Sequence, residues 1–169
     1  MEPKEPNKKR LFAVLAAAFL GWMFDGMEMG LFPIIARPAL LQMQQAQGLA
    51  LTDAFVAHWM SYATASFLVG AAFGGVVFGW LGDKIGRVRA MAASILVYSI
   101  FPGLIYFAQL PWHLCAARFM GALGMGGEWS LGIALVMEVW PEKHRPLMAG
   151  VIGAAANVGF AMIAIVAIF

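Results

Sequence analysis

Residues 79–89 read Gly-Trp-Leu-Gly-Asp-Lys-Ile-Gly-Arg-Val-Arg, a charged turn with three glycines. Apolar runs flank it on both sides, from Phe55 to Trp80 and from Val88 to Gln109. Each run reaches the roughly 20 residues that a helix needs to cross the hydrocarbon core of a bilayer. Glycine permits a tight backbone path between two such helices, and the basic residues indicate the side of the membrane on which the turn lies. This stretch therefore predicts a membrane protein whose chain turns sharply between two spans.

The composition agrees with a chain that lies in lipid. Of the 169 residues, 62% are hydrophobic and 12% are charged, whereas a soluble domain has about 45–50% apolar and about 25% charged residues. The net charge of +2 comes from short basic clusters beside apolar runs, so no basic face is left for nucleic acid. The single cysteine, Cys115, lies inside an apolar run, which argues against a disulfide framework and against a metal-binding cysteine pattern.

The apolar runs predict an all-α membrane protein with about five transmembrane helices. The predicted spans cover about residues 11–35, 55–80, 88–109, 112–139 and 146–169. Together they form one transmembrane domain over residues 11–169, preceded by a tail over residues 1–10, and residues 37–52 form an outer polar connection. The tail is expected to be cytoplasmic, because basic residues crowd on its side of the spans. These residues are Lys4, Lys8, Lys9, Arg10, Lys84, Arg87, Arg89, Lys143 and Arg145.

Glycine spacing predicts close contacts between helices. Gly70, Gly74 and Gly75 recur within the second predicted span, and Gly121 and Gly124 recur within the fourth. Lipid gives no hydrophobic drive for helix association, so small residues that let two backbones approach closely are typical of helix interfaces in membranes. We therefore expect the second and fourth spans to be tightly packed helices.

Four ionisable residues fall inside the predicted spans, and we expect them to form the functional core: Asp25, Glu28, Arg118 and Glu128. Each costs at least about 2.5 kcal/mol near the bilayer centre, so such a group usually faces a cavity or a partner. Asp25 and Glu28 share one helix face. At about 1.5 Å per residue, Asp25 and Arg118 lie at similar depths.

These positions suggest a proton-sensitive pair, in which Asp25 or Glu28 is ionised while it faces Arg118 and takes up a proton when the helices separate. An opposite charge favours the ionised carboxylate, and desolvation disfavours it. The alternative is a static ion pair that only neutralises buried charge, or acids close enough to the outer surface to be hydrated.

Three residues, Glu128 among them, lie deep enough to line a substrate cavity. Glu128, near the middle of the fourth span, is a candidate to coordinate a substrate hydroxyl or to carry a proton; the alternative is packing against a polar group of a neighbouring helix. Trp22 and Trp129 lie away from the span ends, and they either stack on a substrate ring or pack in the core. No metal site is expected, because no metal-spaced cluster appears.

The turn at residues 79–89 resembles the loop between spans two and three of the major facilitator superfamily, Gly-x-Leu-x-Asp-Lys-x-Gly-Arg-x-Arg. It departs at Val88, where the family usually has a second adjacent basic residue. Residues 118–129 resemble the span-four motif of the family, and Gly126-Gly127-Glu128 is similar to its proton-linked sugar and organic-acid symporters, including sialate and aromatic-acid carriers. Residues 138–145 resemble the Glu-x-x-Pro-x-x-x-Arg turn at the cytoplasmic end of span four.

The resemblance implies a twelve-span transporter in two six-helix halves, of which this chain would be an amino-terminal piece. It implies proton-coupled symport of a sugar, sugar acid or small carboxylate by alternating access, with the proton as coupling ion and no other cofactor. The expected partners are a small-molecule substrate, the lipid bilayer and the carboxy-terminal half of the transporter, and the expected location is a bacterial inner membrane.

The two cytoplasmic turns are expected to form a gating network that holds one face closed, with plain solvated loop charge as the alternative. Its expected members are Gly79, Asp83, Lys84, Gly86, Arg87, Arg89, Glu138 and Arg145. Exposed ion pairs are weak singly, but a shared network can bias a two-state balance.

The alternative from another class is a non-transporting membrane remnant or an oligomerising interaction subunit, in which the glycine faces would serve assembly. An enzyme is not expected, because the sequence shows no Ser/His/Asp set and no thiol with an adjacent base.

Overall fold

The computed structural model describes residues 8–168, which form five long α-helices joined by short connections. The helices are α1 (Lys8–Ala46), α2 (Asp53–Ile85), α3 (Arg87–Gly103), α4 (Pro111–Val139) and α5 (Arg145–Val166). Two single-turn 3-10 helices, Leu104–Phe107 and Glu142–His144, follow α3 and precede α5. Residues 1–7 of the predicted tail and Phe169 at the end of the predicted fifth span lie outside the described residues. All five helices are long and apolar enough to cross a membrane, which confirms the predicted all-α membrane fold.

Helix α1 extends well beyond the predicted first span. It continues to Ala46, so the first part of the predicted polar connection over residues 37–52 is helical. Two prolines lie inside the helix, and membrane helices tolerate proline because neighbouring groups satisfy the freed backbone. The extension is held by packing, since Leu40 is fully buried in a cluster with Val56 and Leu114. The polar side chains of this segment suggested a loop, but burial of its other face decides the conformation.

Glycines bring α2 and α4 into backbone contact. A side chain on Gly70 would collide with the backbone of Phe119, and one on Gly74 would collide with the backbone of Leu123. Gly75 is less crowded, since an added Cβ would have only the Gly126 carbonyl oxygen as a neighbour, at 3.6 Å. The two helices therefore pack at a distance that only glycine allows, as expected where lipid supplies no hydrophobic drive.

Helix α4 lies at the centre of the fold. It packs extensively against α2 and α3 and also contacts α1 and α5. On its α3 side, Gly121 lies against the ring of Pro102, and a side chain on Gly124 would meet the α3 backbone at Ser94 and Tyr98. Arg118 and Glu128 of α4 are therefore enclosed by other helices, which separates them from lipid.

Candidate functional site

The two acids of α1 have different surroundings. Glu28 accepts hydrogen bonds from the Arg118 guanidinium of α4, forming an ion pair between the two helices. Asp25 lies one turn earlier and is fully buried, and neither of its carboxylate oxygens has a hydrogen-bond partner among the described residues. Of the two acids that the sequence offered as the partner of Arg118, the structure pairs Glu28 and leaves Asp25 unpaired.

Arg118 is held by aromatic rings as well as by its ion pair. Its Cζ lies 4.1 Å from the ring centroid of Phe32 and 4.5 Å from that of Phe67. Cation–π contacts of this kind stabilise a desolvated guanidinium. Only 7% of the Arg118 side chain is exposed, so its positive charge is fixed in place at the junction of α1, α2 and α4.

Glu128 is the second buried and unpaired acid. Its carboxylate lies against Gly21 of α1, where any larger side chain would collide with it. Neither carboxylate oxygen has a hydrogen-bond partner within residues 8–168. Asp25 lies within electrostatic range of Glu128 and of Glu28. The interface of α1 and α4 thus contains three carboxyl groups and one guanidinium, although burying an unpaired charge is costly.

Sequence reasoning missed Tyr98 of α3. Its hydroxyl faces the Glu128 carboxylate, although the two groups do not meet the geometry of a hydrogen bond. The sequence did contain a signal, namely the position of this tyrosine. Tyrosine in membrane helices is enriched at the interfaces, but Tyr98 lies in the middle of the third predicted span. A polar side chain at that depth needs a polar neighbour.

The two tryptophans predicted for the cavity contact each other. The rings of Trp22 and Trp129 are tilted by 31°, with centroids 4.3 Å apart. They line one cavity of about 430 Å³, together with Phe67, Met125 and Phe160. That volume falls in the range of small-molecule sites, about 300–1,000 Å³. None of the acids in the described chain lines this cavity, but it lies on the same stretches of α1 and α4 as the acidic cluster of Asp25, Glu28 and Glu128.

Three of the residues predicted for the gating network form ion pairs. Arg87 contacts Asp83 at 2.8 Å and Glu138 at 3.1 Å. Asp83 lies in the last turns of α2, Arg87 begins α3, and Glu138 lies at the end of α4. These ion pairs therefore link α2, α3 and α4 at one end of the bundle. Gly86 is the only residue between α2 and α3, and its φ of 94° favours glycine.

The other predicted members of this network lie apart from its acids. The Arg145 Nε donates to the backbone oxygen of Trp140 at 3.1 Å, and Lys84 lies 4.1 Å above the ring of Trp80. In the part of the chain that the structure describes, Arg89, Lys84 and Arg145 are not within ion-pair distance of an acid. Gly79 has open space where a side chain would lie.

A sequence model of the family described as Major Facilitator Superfamily matches residues 11–169. A protein of Haemophilus influenzae named for metabolite transport is 36% identical over 147 residues, which is 86% of this chain and 33% of that protein. A protein of Cupriavidus pinatubonensis named for 4-methylmuconolactone transport is 34% identical over 162 residues, covering 96% of this chain and 35% of the relative.

A niacin transporter of Acinetobacter baylyi is 30% identical over 165 residues, covering 97% of this chain and 35% of that protein. The chain therefore spans about a third of the length of the curated relatives that it matches. No solved structure matches the chain significantly.

Proposed function

This chain belongs to the major facilitator superfamily, and from that premise we propose that the whole protein is a secondary transporter that carries a small carboxylate together with protons. In this proposal the protein lies in a bacterial inner membrane with its amino terminus in the cytoplasm, and it moves its substrate by alternating access without changing it chemically. The remainder of the transporter covers the open side of the aromatic cavity.

One observation carries the proposal: Asp25 and Glu128 are buried inside membrane spans and have no hydrogen-bond donor among residues 8–168, and Glu28, near Asp25, is paired with Arg118. An isolated carboxylate is too costly to bury, so a group in this setting exchanges protons when its surroundings change. Transporters bind coupling ions and substrates near the bilayer midplane, at helix interfaces of this kind. The cluster supports proton coupling on these grounds.

A substrate that binds Arg118 would change the surroundings of Glu28. A guanidinium binds carboxylates through charge-assisted hydrogen bonds, so a substrate carboxylate that approaches Arg118 competes with Glu28. Glu28 would then lose its counterion and bind a proton. Loading of substrate and loading of a proton are thereby linked through one residue.

The relatives and the cavity support a small organic acid as the substrate. Niacin and 4-methylmuconolactone, for which two relatives are named, are both small carboxylic acids with a ring. The rings of Trp22 and Trp129 offer an aromatic surface in a cavity of about 430 Å³. Flat, unsaturated acids fit such a surface because ring faces stack favourably.

Uptake into liposomes tests the proposal. The full-length protein is reconstituted, an inward proton gradient is applied, and accumulation of niacin is compared with that of nicotinamide, its uncharged amide. A panel of other small ring acids is measured alongside. We expect one or more acids to accumulate against their gradient while nicotinamide does not. Equal behaviour of acid and amide, or no gradient-driven accumulation across the panel, would contradict the proposal.

A further inference from the structure

Helices α1 and α3 pack against α4 around the carboxylate of Glu128. On one side, Gly21 of α1 leaves the space that Glu128 Oε1 occupies. On another side, Gly124 brings the α3 backbone against α4 at Tyr98. Gly124 and Glu128 are one helical turn apart on the same face of α4. The close contact at Gly124 therefore places the Tyr98 side chain beside the acid.

Glu128 needs a donor, and Tyr98 is the nearby side chain that can supply one. Glu128 is only 2% exposed, and its two carboxylate oxygens lack hydrogen bonds within the described chain. Buried polar groups are nearly always hydrogen-bonded. The Tyr98 hydroxyl already faces Glu128, and hydrogen bonds that serve proton transfer are often long in a protein without its substrate.

We propose that Tyr98 is a positioning residue for proton binding at Glu128. Its hydroxyl donates to the carboxylate when Glu128 is ionised, and the hydrogen bond weakens when the acid takes up a proton. Tyr98 thus sets the pH at which Glu128 loads, and Gly21 and Gly124 provide the close packing that makes this contact available. Its part in coupling rests on the proposed function, whereas its effect on Glu128 does not.

Other charged groups also affect the protonation of Glu128. From α1, Asp25 contributes negative charge near Glu128, whereas Glu28 is paired with Arg118 further along α4. On α2 and α5 the ionisable side chains lie towards the helix ends. Tyr98 is the ionisable residue that α3 presents to the acid. Changing its hydroxyl leaves the formal charge of this cluster unaltered.

Infrared difference spectroscopy of the full-length protein in liposomes tests the inference without relying on transport. Lowering the pH produces a carboxylic-acid band for each group that binds a proton, and Glu128→Gln identifies the band of Glu128. Tyr98→Phe keeps the ring and removes the hydroxyl. We expect the midpoint of that band to move upward by on the order of one pH unit, because the ionised form loses a donor.

Tyr106→Phe is the matched control, because Tyr106 is 88% exposed and the chemical change is identical. It should leave the midpoint unchanged. The inference is overturned if no band disappears in Glu128→Gln, or if the midpoint of Tyr98→Phe equals that of the unmodified protein. Uptake that does not depend on pH, found together with the expected midpoint shift, would instead overturn the proposed function and leave Tyr98 as a positioning residue.

Discussion

Arg118 and Glu28 form an ion pair that is largely buried between α1 and α4. The Arg118 guanidinium is enclosed by the rings of Phe32 and Phe67. Removing the acid therefore leaves an uncompensated positive charge in a membrane span. Breaking a buried pair in this way is far more costly than losing an exposed one.

Glu28→Gln is accordingly expected to destabilise the protein by about 3–5 kcal/mol. The matched control is Arg37→Gln, which breaks an exposed pair with Asp53 and should cost less than about 1 kcal/mol. Reversible unfolding of the purified protein in detergent measures both. Equal effects of the two substitutions would show that the buried pair is not a major stabilising contact.

At the residue scale, the sequence was sufficient to find the buried charges but not to pair them. A charge inside an apolar run is visible in the sequence, which is how Asp25, Glu28 and Glu128 were identified. Which acid meets Arg118 depends on the rotation of α1 about its axis. That rotation is fixed by contacts such as Gly26 against the backbone of Ala156 in α5, and a hydropathy pattern does not encode it.

At the scale of the elements, the close packing of α2 against α4 requires glycine at position 74. Gly74→Ala places a Cβ against the Leu123 backbone, and overpacking of this kind costs about 1–3 kcal/mol. Gly75→Ala is the adjacent control, since its Cβ would meet only an oxygen at 3.6 Å. The thermal unfolding temperature should be lowered by the first substitution and nearly unchanged by the second. A larger loss for Gly75→Ala would contradict the observed register of the two helices.

The ion pairs of Arg87 link α2, α3 and α4 at one end of the bundle. Two exposed pairs contribute up to about 2 kcal/mol together, which is a factor of roughly 30 in a two-state equilibrium. Arg87→Gln should therefore change the rate of transport by up to about that factor. Arg89→Gln, which removes a charge without an ion pair, is the control for uptake measured in liposomes. Identical rates for the two variants would exclude a gating role for these pairs.

Sequence patterns also explain which elements were predicted well. Turns with glycine and charge are distinctive, so the short connection between α2 and α3 was recognised directly. The extension of α1 to Ala46 was missed because its exposed face is polar while Leu40 on the other face is buried against other helices. Tertiary packing, which a local pattern does not include, determined that boundary.

At the scale of the whole molecule, the proposed function makes the described helices one wall of a transport pathway. The aromatic cavity and the acidic cluster lie side by side on the same stretches of α1 and α4. In the proposed mechanism, a substrate acid and a proton bind to neighbouring sites and cross the membrane together. Buried acids that bind no proton during transport would be difficult to reconcile with their cost in a membrane.

Asp25→Asn is the most direct test of this coupling. In liposomes containing the full-length protein, uptake driven by a proton gradient is compared with exchange of labelled for unlabelled substrate, which needs no net proton movement. We predict that Asp25→Asn abolishes gradient-driven accumulation and retains exchange, while Asp53→Asn, the same change at an exposed acid, retains both. Undiminished gradient-driven accumulation in Asp25→Asn would contradict proton coupling through this buried acid.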